Sequence, residues 1–215
     1  MNLEEIQSIV EEVVSRCRGK DGRNEAHTGI LVEASARHVH LTQQAVETLF
    51  GPGINLSPKR MLSQPGEFLA EQRVRLVTSK GTIDSVAVLG PARGAVQCEL
   101  SMTDCRALGL SAPVNLSGDL TGAGNVVIVG PSGVLEAKSS VIVARAHIHL
   151  TPAAAAEQGV SDGQHVRVRV ESARPVCFAD VVIRVKDSFE PAMHLDFDEA
   201  NACLCGKDTK AYILR

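Results

Sequence analysis

Two copies of one short motif constrain what this chain can fold into. The first reads Arg37-His38-Val39-His40-Leu41-Thr42 and the second Ala146-His147-Ile148-His149-Leu150-Thr151. Apolar, β-branched residues precede each copy: Ile30-Leu31-Val32 in one case, Val141-Ile142-Val143 in the other. On an extended backbone alternate side chains point the same way, so both imidazoles of each His-x-His share a face and can grip one ion. Four of the chain's seven histidines lie in these motifs.

The rest of the chain repeats as well. After each motif comes a short helix with a glycine stop, predicted at Gln43 to Phe50 before Gly51 and at Pro152 to Gln158 before Gly159. Strand patterns of period two follow at Gln72 to Thr78, Thr82 to Leu89 and Val96 to Leu100. Their counterparts in the second half are Val166 to Val170 and Val181 to Val185. Ser57 to Glu67, with two prolines, reads as a loop, and Thr103 to Leu108 as a short helix ending at Gly109. Cys98-Glu99-Leu100-Ser101-Met102-Thr103-Asp104 aligns with Met193-His194-Leu195-Asp196-Phe197-Asp198-Glu199, which sets Glu99 opposite His194 and Asp104 opposite Glu199. A duplication of this kind predicts two similar β units. Many short strands with Gly/Pro turns make the chain mainly β, with small barrels capped by short α-helices and no alternating βαβα plan. The corresponding division is residues 1–28 as a terminal segment, 29–140 as a first barrel repeat and 141–215 as a second.

The candidate chemistry follows from the repeat. Half one offers His38, His40 and Glu99, and half two offers His147, His149 and His194. Imidazole with one carboxylate suits Zn²⁺, Co²⁺, Fe²⁺ or Mn²⁺, and availability favours zinc. Three protein ligands leave a position open, as catalytic metal sites do. Two such sites facing each other can clamp both partners of a group transfer. Arg93, in the Gly90-Pro91-Ala92-Arg93-Gly94 break, is either a bidentate fork for phosphate or a surface ion pair. Ser117 opens a glycine-rich loop whose backbone can meet an anion or simply turn the chain.

Composition excludes several classes. A net charge of -3 without a basic block gives no footprint for nucleic acid, and no apolar stretch approaches the ~20 residues of a membrane span. The acidic start lacks a signal-peptide layout, and six cysteines without framework spacing point to a reducing cytoplasm. There is no Gly-Lys-Ser/Thr phosphate loop and no Gly-x-Ser-x-Gly elbow, and the Cys203-Leu204-Cys205 spacing suits structure rather than a zinc knuckle. Residues 3–17 carry apolar groups at helical spacing, with Glu4, Glu5, Glu11 and Glu12 elsewhere on the wheel, ahead of a polar linker. A lone helix of this length needs a partner surface, either its own domain or another protein.

These residues carry a resemblance. From about Ile30 to Leu214 the chain resembles the PduL-type phosphotransacylases, the phosphate propanoyltransferases of bacterial microcompartments. The carriers are Arg37 to Leu41, Leu89 to Arg93, Gln97 to Ser101 with Thr103-Asp104, Ser117-Gly118-Asp119, His147 to His149, and Met193 to Asp196 with Asp198 to Asn201. One departure stands out. Ala146 occupies the position before the second His-x-His where that family often has arginine.

The resemblance implies two β-barrels with strand exchange between the sequence halves and two zinc ions at their interface. It also implies that His38, His40 and Glu99 hold the zinc that meets the coenzyme A sulfur, while His147, His149 and His194 hold the other. Arg93 would be the catalytic phosphate-binding residue, with Ser117 beside the substrate. The expected reaction is reversible transfer of a short acyl group, propionyl or acetyl, between coenzyme A and phosphate, as in propanediol degradation. A homo-oligomer inside a microcompartment is expected, with residues 3–17 contacting shell or cargo proteins. The alternatives are a dinuclear metallohydrolase of thioesters or phosphoesters and a non-enzymatic metal-binding module.

Overall fold

The computed structural model describes residues 28–214. The helix expected at residues 3–17 and its linker therefore lie outside the described residues. In chain order the elements are β1 (Ile30–Ser35), β2 (His38–His40), α1 (Gln43–Phe50), β3 (Pro58–Met61), β4 (Phe68–Val77), β5 (Thr82–Gly90), β6 (Gln97–Leu100), α2 (Met102–Leu108), β7 (Val114–Asn115), β8 (Gly124–Val129) and β9 (Val134–Ala144). Then follow β10 (His147–Leu150), α3 (Pro152–Gln158), β11 (His165–Glu171), β12 (Val176–Val185), β13 (Ala192–Asp196), α4 (Phe197–Ala202) and β14 (Lys210–Leu214).

Two six-stranded barrels result. One closes in the order β1-β13-β10-β12-β11-β14. The other closes as β4-β5-β2-β6-β9-β8, because β8 pairs with both β9 and β4. The two match strand for strand. β2 lies parallel to β5 and antiparallel to β6, as β10 does to β12 and β13. β6 lies parallel to β9, and β13 parallel to β1.

The last pairing exchanges strands between the sequence halves. β1, which leads into the first His-x-His, sits in the barrel of the second, and β9, which leads into the second, sits in the barrel of the first. The two barrels therefore interleave along the chain. β3 and β7 add to the first barrel as short edge pieces. β3 lies within the stretch expected as a loop. It is exposed along its length and starts at Pro58, which an edge strand tolerates because it needs no donor there.

Local chemistry explains the motif's full length. Val39 and Ile148, between the histidines, are completely buried in the two separate cores. The threonines that end each motif are helix N-caps: Thr42 Oγ1 accepts from the Ala45 amide at 3.1 Å, and Thr151 Oγ1 from the Ala154 amide at 3.1 Å. α3 then begins with Pro152 and ends at Gly159 with φ 64°, the left-handed conformation glycine adopts without strain. α1 turns Ala45, Val46 and Leu49 into the first core. β11 alternates exposed and buried residues throughout, presenting Val166, Val168 and Val170 to the second core.

Asp104 and Glu199, aligned by the repeat, are cap residues. Ser101 with Asp104 forms a capping box on α2, and Asp196 with Glu199 forms one on α4. In both halves the third ligand-type residue stands two positions before a helix cap.

Candidate metal centres and active-site cavity

Strand register assembles both triads. Glu99 on β6 lies opposite His38 on β2, and His194 on β13 lies opposite His147 on β10. Paired residues share a face, so each third ligand joins its His-x-His on one side of the sheet. The Glu99 carboxylate reaches His38 Nε2 and His40 Nε2 at 3.7 Å each. The rings of His147, His149 and His194 lie 4.7–5.1 Å apart between centroids. Within each triad one donor atom per residue falls within 4.8 Å of the others.

The first histidine of each pair is oriented by the backbone. Nδ1 of His38 meets the Ala36 carbonyl at 2.8 Å, and Nδ1 of His147 meets the Arg145 carbonyl at 2.9 Å. A carbonyl accepts only, so Nδ1 carries the proton and Nε2 keeps its lone pair for the triad. Other ring nitrogens have no partner: His40 Nδ1, both nitrogens of His149 and Nε2 of His194 are buried without a hydrogen bond. Buried polar atoms are normally paired, and since a neutral imidazole keeps one N–H and one lone pair, each of these rings still has a lone pair to offer a cation.

Electrostatics separates the two triads. Burial, with the neighbouring positive groups, lowers His149 to about 2 and His194 to about 3, and it lowers His147 too. All three imidazoles are therefore neutral and ready to donate. In the other triad burial lowers His40 to about 3, while for His38 the Glu99 carboxylate outweighs burial and raises the proton affinity. Burial would raise Glu99, but His38, His40 and the Ser117 hydroxyl hold it below the ordinary carboxylate range.

Both triads open into one cavity of about 650 Å³, which Arg93 and Ser117 also line. A model for the phosphate propanoyltransferase family matches residues 31–206. The phosphate propanoyltransferase of Enterococcus faecalis is 44% identical over 213 residues, covering 99% of each chain. The enzyme of the same name from Clostridioides difficile is 45% identical over 98% of this chain and 97% of its own, and that of Thermotoga maritima 46% identical over 86% and 89%. The chain belongs to the phosphate propanoyltransferase family.

Two groups in the propanoyltransferase cavity have engagements the sequence did not reveal. The Arg93 amide donates to the Leu41 carbonyl at 2.8 Å, and its guanidinium pairs with Glu67 at 2.6 Å. The Ser117 hydroxyl donates to Glu99 Oε1 at 2.6 Å. Gln97, which the sequence offered only as part of the Gln97 to Ser101 segment, has a role of its own. Its Nε2 donates to Glu99 Oε1 at 2.6 Å and to Ser117 Oγ at 3.0 Å, while its own carbonyl accepts the Gly118 amide at 2.9 Å. The one sequence signal was spacing, since Gln97 stands two residues before Glu99 and so shares its face. Among the described residues no helix is long and apolar enough to cross a membrane.

Proposed function

We propose that this chain transfers a propionyl group reversibly between coenzyme A and phosphate in this cavity, using both triads as zinc sites. One observation carries the proposal: donor sets from two exchanged barrels converge on a single cavity that also holds Arg93. The unpartnered buried ring nitrogens and the N₃ and N₂O donor sets fit zinc. His38, His40 and Glu99 would hold one ion, and His147, His149 and His194 the other. When bound, zinc supplies positive charge that favours the thiolate over the thiol and attracts anions at neutral pH.

The chain's own residues do the rest. Arg93 exchanges Glu67 for phosphate and presents its paired N–H groups to two oxygens. Leu62, Leu69 and Leu89 line the cavity and keep water from competing with phosphate for the thioester. A phosphate oxygen attacks the thioester carbonyl, a C–O bond forms, the C–S bond breaks, and coenzyme A leaves as thiolate. Direct transfer is favoured over an acyl-enzyme. No cysteine of the described residues lines the cavity, burial pushes the Cys98 thiol up to about 12, and the Ser117 hydroxyl is committed to Glu99. Residues 3–17, with their acidic amphipathic pattern, support docking on protein partners within a microcompartment.

The test is thiol release from propionyl-CoA with and without phosphate, before and after chelation. Release that needs phosphate and disappears on chelation is expected. Release without phosphate would favour a thioester hydrolase, and no release from metal-loaded protein would leave a binding module.

A further inference from the structure

Arg184 breaks the symmetry of the duplication. On β12 it lies beside His149 in parallel register, whereas the equivalent residue on β5, beside His40, is Leu89. It therefore shares the face of the three-histidine triad, and it lines the cavity. Its guanidinium carbon stands 5.9 Å from the Phe189 ring centroid, and that ring stacks on His149 at 3.9 Å and 12°. The stack gives the half-buried fork a platform beside the triad.

The charge there is uncompensated. Among the described residues Arg184 has no carboxylate within 4 Å and no hydrogen-bond partner, in contrast to Arg37 with Asp104, Arg93 with Glu67 and Arg145 with Asp180. Its field bears on all three histidines and lowers their affinity for protons. A partly desolvated cation against a cation-binding triad is unfavourable unless an anion joins them.

A second cation stands nearby. The Lys186 amide donates to the Leu150 carbonyl at 3.1 Å, as the Arg93 amide donates to the Leu41 carbonyl at 2.8 Å. Lys186 thus makes the backbone contact that Arg93 makes in the other half, and both line the cavity.

We propose that Arg184, with Lys186, binds a phosphoryl group on the three-histidine side of the cavity, separate from the contact made by Arg93. This rests on the acyl-transfer assignment, in which two phosphate-bearing substrates enter. The group is therefore either the transferable phosphate or a phosphate of coenzyme A. Proximity to the triad favours the former, with Arg93 and Arg184 clamping it from opposite barrels.

Full-length, zinc-loaded protein and its Arg184→Ala, Arg184→Lys and Lys186→Ala variants would be compared for both Michaelis constants. Phosphate binding would also be followed directly by calorimetry. Arg184→Ala should raise the phosphate KM by about tenfold or more and weaken calorimetric phosphate binding to match, with the propionyl-CoA KM within about twofold. Arg184→Lys, which keeps charge but loses the fork, should fall between. A rise confined to propionyl-CoA, diminished when 3′-dephospho substrate is used, also supports the anion site and assigns it to coenzyme A.

Unchanged constants and unchanged phosphate binding in an Arg184→Ala protein of normal melting and metal content would overturn the proposal. If that variant does not fold, unchanged values in both Arg184→Lys and Lys186→Ala overturn it equally. Absence of phosphate-dependent thiol release in the wild type would sink the acyl-transfer assignment instead, and calorimetric phosphate binding would still decide the role of Arg184.

Discussion

Replacing Gln97 by alanine tests whether the cradle around Glu99 sets the affinity of the proposed His38/His40/Glu99 metal site. Glu99 is 7% exposed, and its Oε1 accepts from Gln97 at 2.6 Å and from Ser117 at 2.6 Å. Both hydrogen bonds act on the same oxygen, which leaves Oε2 turned toward His38. A hydrogen bond to a charged group contributes about 1.5–3 kcal/mol. Because Ser117 keeps one bond on Oε1, the loss in Gln97→Ala should fall near the lower end, about 1.5–2 kcal/mol, or roughly ten- to thirtyfold in metal affinity.

The other triad should be unaffected. There the third ligand is His194, and Ala192 stands opposite His149 where Gln97 stands opposite His40. Zinc titration of metal-free protein against a chromophoric chelator resolves the two steps. One dissociation constant should rise by the stated factor while the other stays put. Two constants that both remain within about twofold of wild type, while Glu99→Ala abolishes one step, would exclude a hold of Gln97 on the metal. Ser117→Ala should behave similarly, and the double variant should be non-additive because Gln97 and Ser117 touch at 3.0 Å.

Other expectations follow from the same geometry. Arg93→Ala should raise the phosphate KM by about tenfold or more, and unchanged phosphate kinetics would remove Arg93 from the site. Glu67→Gln should lower the phosphate KM by about two- to fivefold, because it frees Arg93 from a pair about one-third exposed at each end. Burial and Asp196 push Glu199 up to about 7 from its ordinary 4.5, so in the fold it keeps a proton that the unfolded chain has lost. Stability from this group therefore falls as pH rises from about 4.5 to about 7, and Glu199→Gln should gain ~1–2 kcal/mol at pH 8 and much less at pH 5 in thermal melts. An equal gain at both pH values would show that the carboxylate is not the cause. Ile148→Ala, at a completely buried site between the two histidines of β10, should lower stability by about 2–5 kcal/mol in urea titrations. A loss below ~1 kcal/mol would mean that this core collapses around the gap.

Much of the site was legible because it is built from local rules applied twice. Period-two spacing put His38 with His40 and His147 with His149 on common faces, and the duplication brought Glu99 and His194 into equivalent places. The short helices were legible from the glycines that end them, since a stop acts within a single turn of chain, whereas the structure adds the Thr42 and Thr151 caps. Ala146 was visible as a departure from the family pattern. The structure adds its consequence: Arg37 pairs with Asp104 at 2.9 Å, and Glu199 has no such arginine before its histidine pair.

What a sequence pattern cannot carry is the identity of a distant neighbour. The Glu67 pair with Arg93, the Gln97 and Ser117 hold on Glu99, and the Phe189 platform under Arg184 join side chains whose meeting depends on barrel closure. β3 escaped notice because its residues are all exposed, and an edge strand needs no buried face to leave an alternating pattern. The repeat by itself determined two β units with two donor sets. The resemblance implied an exchange of strands, but only the tertiary structure decided that β1 and β9 are the ones that cross, because strand partnership rests on backbone hydrogen bonds that are the same for every side chain. That exchange bridges the two barrels whose triads open into one cavity.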